Sequence, residues 1–463
     1  MIPTPGMLEV NRVRAAFARS WQAARRVSPT AILLAGLAVF VLYGFPGYMS
    51  NDSCDQLLQA RSLVFSDAHP PVMAAEWALL DAIIAGPLLM LVLQGALSLW
   101  GLAALLRGIT GPRAAALLAV ALLLFPPVLT TMAVIWKDSQ MAAYLLAGTA
   151  ALLSPRRGIR LIGLALLTLA CAFRYNAFAA SVPLVGLLFE WRPALRWWKR
   201  YAISGATAVL SLAAAIGLNR ALTSHHVAGA DGVALADIAG VLNYGRDRSD
   251  DELREILRGV PLRTTTGIQA RARSLFSARS AMAMFYGEGS LYANPLPVHH
   301  DAIARAWRQL VGEEWRAYLE YRGNGFRELL GLHEGYLWTP VWYQFLGHPD
   351  LRTRLHHNAV VSGVEWFELQ QVGFLAYETP LFRPYLYALL ALALLITCCR
   401  DRLSLALIAS GLLYELSYFP AANTVDFRYS HWMITATCVA TVMLLVRRLA
   451  RGRVAAAPVE AAL

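Results

Sequence analysis

The sequence predicts an all-α integral membrane protein of about ten transmembrane helices. Three observations carry that reading: an apolar composition with few charges, a series of apolar runs of spanning length, and arginines gathered on alternate connections. Of 463 residues, 57% are hydrophobic and only 15% charged, and the mean hydropathy is +0.47. No single soluble core of this length needs so much apolar material, so a membrane is the natural solvent. The net charge of +11 does not point to nucleic acid, because the basic residues sit between apolar runs rather than in polar clusters. Only Lys137 and Lys199 are lysines. The five cysteines make no disulfide framework: Cys171 and Cys438 lie in apolar runs, Cys398 and Cys399 end one, and Cys54 stands in a polar loop.

Taken in order, the apolar runs fall near 29–47, 82–106, 114–134, 139–154, 158–173, 176–191, 201–222, 382–399, 403–420 and 431–447. Helices of about 15 to 25 residues cross roughly 30 Å of hydrocarbon, so each run qualifies as a span. The first follows five arginines but continues to Phe45-Pro46-Gly47 without a small-residue cleavage site, so it reads as an uncleaved span. The fifth and sixth share the polar break Arg174-Tyr175-Asn176 and can also be read as a re-entrant hairpin.

Orientation follows from the short connections. With the N-terminus inside, the inner segments hold twenty basic residues: Arg12, Arg14, Arg19, Arg25 and Arg26; Arg107 and Arg113; Arg156, Arg157 and Arg160; Arg192, Arg196, Lys199 and Arg200; Arg400 and Arg402; and Arg447, Arg448, Arg451 and Arg453. The short outer segments hold only Arg61, Lys137, Arg174 and Arg428. That asymmetry predicts a multi-pass inner (plasma) membrane protein with both termini cytoplasmic.

The chain then divides into an N-terminal membrane module over 1–222 with an outer loop at 48–81, an external domain over 223–381, and a C-terminal module over 382–463. Ser249-Asp250-Asp251-Glu252 opens like a capped helix in the external domain, which also carries Trp338, Trp342, Tyr343 and Trp366. An Ala-rich tail after Arg453 reads as unstructured.

Four polar motifs fall on the outer side. The first is Ser50-Asn51-Asp52-Ser53-Cys54-Asp55, followed by Ser66-Asp67-Ala68-His69-Pro70-Pro71. Asp52, with His-Pro-Pro beginning 17 residues later, resembles the first external loop of GT-C glycosyltransferases. The closest likeness is to protein O-mannosyltransferases and bacterial relatives of the aminoarabinose transferase kind. In that group the Asp belongs to an Asp-Glu pair; here Ser53 stands in place of the Glu, leaving the pair with one carboxylate. Asp52 or Ser53 can alternatively be a plain helix cap.

The second motif is Trp136-Lys137-Asp138 at the end of the third span, with the one outer lysine. An aromatic-belt Trp with a snorkelling Lys is the ordinary reading; the resemblance implies instead a phosphate ligand, with Asp138 holding Lys137 or binding sugar hydroxyls. The third is Arg174-Tyr175-Asn176, a charge far into an apolar stretch. The fourth, Asp426-Phe427-Arg428-Tyr429, resembles the late Arg-Tyr element of related transferases. Arginine's planar fork suits phosphate, and Tyr429 could rest on a sugar or isoprenoid face, while an Arg428–Asp426 ion pair would merely lock the loop.

The resemblance implies transfer of a sugar from a polyprenyl-phosphate donor to a glycan, lipid or protein acceptor, with membrane lipids as neighbours. Asp52 would be the base and Asp55, one helical turn on, its substitute or partner. His69, Trp136, Lys137, Asp138, Arg174, Tyr175, Asn176, Asp426, Arg428 and Tyr429 would bind substrate. A phosphate leaving group needs no protonating acid, so one carboxylate suffices. No cofactor is implied; a divalent metal is compatible with such a loop, but neither His299-His300 nor His356-His357 has metal-ligand spacing. No phosphate loop or dinucleotide fingerprint is present. Glu365 and Glu368 could face an acceptor but read more simply as a solvated helix face. Two other classes fit less well: a flippase or transporter, which would want inverted repeats, and an O-antigen polymerase or ligase, which relies on external arginines and histidine rather than an early Asp.

Overall fold

A computed structural model describes residues 27–190, 195–227, 229–332, 340–342, 363–397 and 401–460. The described residues are all-helical, 75% of them in helices, and only isolated bridges, no strands, occur among them. Arg12 to Arg26, Arg192, Trp338, Tyr343, His356, His357 and Cys398 to Arg400 lie outside the described residues.

Helix α1 (Pro29–Gly44) starts where Ser28 accepts a hydrogen bond from the Ala31 amide and Pro29 supplies the first-turn φ. Then α2 (Asn51–Ser62) and α3 (Pro71–Asp81) form the first loop. The run expected to begin at 82 becomes helical only at α4 (Leu88–Arg107). Asp81 explains the delay: its carboxylate binds Arg61 at 2.9 Å and the Gly86 amide at 2.6 Å, where Gly86 takes φ 103°. The next run is two helices, α5 (Pro112–Leu123) and α6 (Pro126–Met132), bent by 71° at Pro126-Pro127.

After these come α7 (Lys137–Leu152), α8 (Arg157–Phe173), α9 (Ala177–Leu188) and α10 (Trp197–Leu222). α7 is buried along nearly all its length. Glycines let its neighbours close in: a Cβ on Gly101 of α4 would lie 2.7 Å from the Leu146 backbone, and one on Gly163 of α8 would lie 2.9 Å from the Gly148 carbonyl oxygen. The central position of α7 fixes where its first residue, Lys137, can sit.

The segment after α10 has its own core. Helices α11 (Gly229–Tyr244), α12 (Asp250–Ile256), α13 (Ile268–Leu275), α14 (Met282–Phe285) and α15 (His300–Glu313) bury Leu235, Ile238, Leu253, Ile268, Tyr292 and Ile303 together. Ser249 caps α12 by accepting from the Glu252 amide, as its sequence predicts. Helix α16 (Trp315–Leu329) carries the buried Arg322, which pairs with Asp237 of α11 and donates to the Ala422 carbonyl. Helices α17 (Gly363–Glu378), α18 (Pro384–Thr397), α19 (Arg402–Leu416), α20 (Tyr418–Ala421) and α21 (His431–Glu460) complete the chain. The segment after α10 joins the stretch before α21 by backbone hydrogen bonds from Ala281 to Asn423 (2.9 Å) and from Val425 to Arg279 (2.8 Å).

Each of the ten apolar runs contains a helix. Among the described residues four segments, Leu88–Arg107, Trp197–Leu222, Arg402–Ala421 and Phe427–Leu449, are long and apolar enough to cross a membrane, or five with the bent pair counted as one. α10 is the most exposed of them, with 17% of its apolar window buried. The tail expected to be unstructured is instead a continuation of α21 to Glu460, in keeping with the helix propensity of its alanines.

Candidate active site

The first turn of α2 presents Asp52 without using it as a cap. Ser50 is the N-cap, and Ser53 accepts from the Ser50 amide at 3.2 Å while donating to the Ile135 carbonyl at 2.7 Å. Ser53 is fully buried, so the position that would be Glu in the resembling family is filled here by a structural hydroxyl. Asp52 is left to face cations.

Arg428, in the 3₁₀ turn Phe427–Ser430, places one guanidinium nitrogen 3.0 Å from Asp52 Oδ2 and its Nε 3.1 Å from Asp426. The Arg428–Asp426 ion pair is therefore formed, and the same guanidinium also pairs with Asp52. Its Nη1 has no hydrogen-bond partner among the described residues. The guanidinium lies 4.6 Å over the ring of Trp136. Trp136 is buried and donates to Ser50 Oγ at 2.8 Å, and its ring centroid lies 6.1 Å from that of Trp342, which donates to the Met49 carbonyl at 3.2 Å. Trp136 is thus a platform for Arg428, neither an interfacial belt residue nor a free ligand surface.

His69 joins the other side. Its Nε2 lies 4.0 Å from Asp52 Oδ1, and its Nδ1 accepts from the Lys137 ammonium at 3.0 Å. Burial first, then the neighbouring Lys137, push the imidazole down to about 3 against the opposing pull of Asp52, so the ring is neutral. Burial would raise the Asp52 carboxyl, but the charges of Arg428 and Lys137 outweigh it and hold it well below the usual carboxylate range.

Asp138 does not hold Lys137. It is fully buried, accepts from Arg174 at 2.7 Å and from the Tyr414 hydroxyl at 3.4 Å, and cannot reach a sugar. Adjacent residues on a helix point about 100° apart, so one neighbour turns to the site and the other into the bundle. Tyr429 is likewise not a free face: it stacks on Tyr418 at 4.8 Å and lies under the Arg174 guanidinium, also at 4.8 Å. Asp55 turns to Gln59, whose amide donates at 2.7 Å, and burial raises its carboxyl; it touches none of the cations. Asn176 accepts from Arg174 Nε at 3.4 Å, and Tyr175 is about half exposed.

Lys137, Arg174, Tyr175 and Asn176 open onto a cavity of about 1040 Å³. Its other walls include Asp67, Arg220 near the C-terminal end of α10, and Asp231 and His300 of the segment that follows. Asp52 and Arg428 do not line it; Asp52 is linked through His69 to Lys137, which does.

Sequence reasoning missed Tyr414 and Tyr418, spaced by one helical turn inside an apolar run, and the pairs Asp67–His226 (2.9 Å) and Asp231–His300 (2.8 Å). Asp67 stands within the quoted first-loop motif, so proximity to His69 was its available signal. Among the described residues no group of three or more His, Cys, Asp and Glu side chains is placed to hold a metal ion.

The segments whose ends carry the inner arginines also meet one another. Glu190 binds Arg200 and Arg402 at 3.1 Å each, and Asp401 binds Arg447. The polar site and these ion pairs therefore belong to opposite ends of α9 and α19. Compared with known proteins, the chain matches no family model, no curated protein and no solved structure.

Proposed function

We propose that the protein is a membrane glycosyltransferase of the GT-C kind, moving a sugar from a polyprenyl-phosphate donor to a hydroxyl acceptor. In this reading the ten apolar helices or helix pairs all lie in a bacterial inner membrane, both termini are cytoplasmic, and the site faces the periplasm. The observation that carries it is a single ionised carboxylate, Asp52, set among Arg428, His69 and Lys137 beside a cavity that the Lys137 ammonium enters.

The donor phosphate docks on Lys137, which opens onto the cavity and has no ion-pair partner among the described residues, while Arg428 and His69 hold Asp52 beside it. The acceptor hydroxyl oxygen attacks the anomeric carbon, the carbon–oxygen bond to phosphate breaks, and its electron pair stays on the phosphate. The hydroxyl proton passes to Asp52. At rest Asp52 is too acidic to be a good base. The monoanion of the bound phosphodiester offsets the cations beside it and moves the carboxyl back toward the usual range, so the base is armed by donor binding. Cations converging on the developing phosphate charge lower the barrier without any metal step.

The test uses the purified full chain with polyprenyl-phosphate sugars and mixed membrane lipid and glycan acceptors, reading release of polyprenyl phosphate. Asp52→Asn should cut turnover by about 10²- to 10⁴-fold while the protein stays folded. Full activity in that variant discards Asp52 as the base. Turnover of polyprenyl-diphosphate sugars alone would favour a polymerase or ligase instead.

A further inference from the structure

The cavity is lined by two chemically different groups: Lys137 and Arg174 supply positive charge, and α11 and α15 of the segment after α10 supply Asp231 and His300. Asp231 is 4% exposed, and its Oδ1 takes the His300 ring nitrogen at 2.8 Å. Its Oδ2 is buried and has no hydrogen-bond partner among the described residues. A buried carboxylate oxygen without a donor is costly, and such atoms are rare unless something supplies the donor.

His300 bonds Asp231 through Nδ1, which leaves its Nε2 free to bond a ligand. His300 is more than half exposed, so that nitrogen is accessible. The pair therefore offers an unpartnered carboxylate oxygen and an accessible ring nitrogen, and a hydroxyl group, which both donates and accepts, can bond to either. The volume, about 1040 Å³, is at the upper end for small-ligand pockets and has room for more than a phosphate.

We propose that Asp231 and His300 form a hydroxyl-binding subsite for the sugar of a phosphate-linked donor, so that the membrane part grips the phosphate and the external domain grips the sugar. This rests on the transferase reading above. It assigns to the external domain half of the donor pocket and the choice among sugars, since a carboxylate lacking its hydroxyl partner penalises the wrong ligand more than a mere loss of contact does.

Binding of farnesyl phosphate and of a panel of hexosyl and pentosyl farnesyl phosphates to the detergent-solubilised full chain tests it. The wild type should bind at least one glycoside more tightly than farnesyl phosphate. Asp231→Leu should weaken that glycoside about ten- to a hundredfold, the loss of a hydrogen bond to a charged group, and leave farnesyl phosphate within about twofold. His300→Ala, at an exposed position that tolerates truncation, should shift the same preference and serves if Asp231→Leu does not fold. Lys137→Met should weaken both ligands. Unchanged glycoside affinity in both external-domain variants overturns the subsite while leaving the phosphate reading intact, as does a wild type that prefers no glycoside. A wild type that binds neither ligand overturns the transferase reading and the subsite with it.

Discussion

Around Asp52 the individual side chains divide into those that present charge and those that hold the presenters in place. Lys137 and Arg428 face the carboxylate region, whereas Asp138, Trp136, Tyr418 and Tyr429 fix the arginines by ion pairing and stacking. His69 bridges Lys137 to Asp52 as a neutral ring. Its folded value of about 3 lies below the unfolded value of 6.5, so between those limits the unfolded chain binds a proton that the folded chain refuses. Stability contributed this way is full above pH 6.5 and falls as the pH drops toward 3, by up to about 1.4 kcal/mol per pH unit for one proton. Asp52 acts in the same direction but only below about pH 3.8, its ordinary value. Thermal melting of the solubilised chain between pH 6.5 and 4 should therefore show a fall in stability that is smaller in His69→Gln. An identical fall in that variant would place the acid sensitivity elsewhere.

Among the elements, the 3₁₀ turn that carries Arg428 follows a non-helical stretch, residues 422–426. Its position is set by the segment after α10, through the backbone bonds of Asn423 and Val425 and through Arg322, which joins Asp237 of α11 to the Ala422 carbonyl. Arg322 and Asp237 are each under 5% exposed, so their pairing is between desolvated charges. Removing one partner should be far worse than removing both. Arg322→Met is expected to destabilise by about 3–5 kcal/mol by stranding Asp237, which keeps only its bond from Trp307. The double variant Arg322→Met with Asp237→Leu should recover most of that in a melting experiment. If the double variant is as unstable as the single one, the pair is not what anchors the turn.

Taken whole, the molecule separates a polar end from an end of arginine ion pairs, and the proposed orientation makes a direct prediction. In a background with all five cysteines replaced, single cysteines at the exposed Val64 or Val298 should react with a membrane-impermeant maleimide on spheroplasts. A cysteine at the exposed Arg157 should react only after permeabilisation. Labelling of all three from one side would dismantle the topology and the periplasmic site together.

The amino-acid order by itself determined that the chain is helical and where its apolar helices lie. Apolar run length, proline and capping residues are local signals, read without knowing what touches what. It also grouped Asp52, His69, Lys137, Arg174 and Arg428 as candidates for one site. Only the tertiary structure decided the partnerships: Asp138 with Arg174 rather than Lys137, Tyr429 with Tyr418 rather than a ligand, Asp55 with Gln59, and Asp231 with His300 on the wall of a cavity. A sequence shows which face of a helix a side chain occupies, but which face of which other helix meets it depends on long-range packing. Here glycine contacts such as Gly101 and Gly163 let α7 sink between its neighbours and so place Lys137 and Asp138 on opposite sides of the boundary between cavity and core.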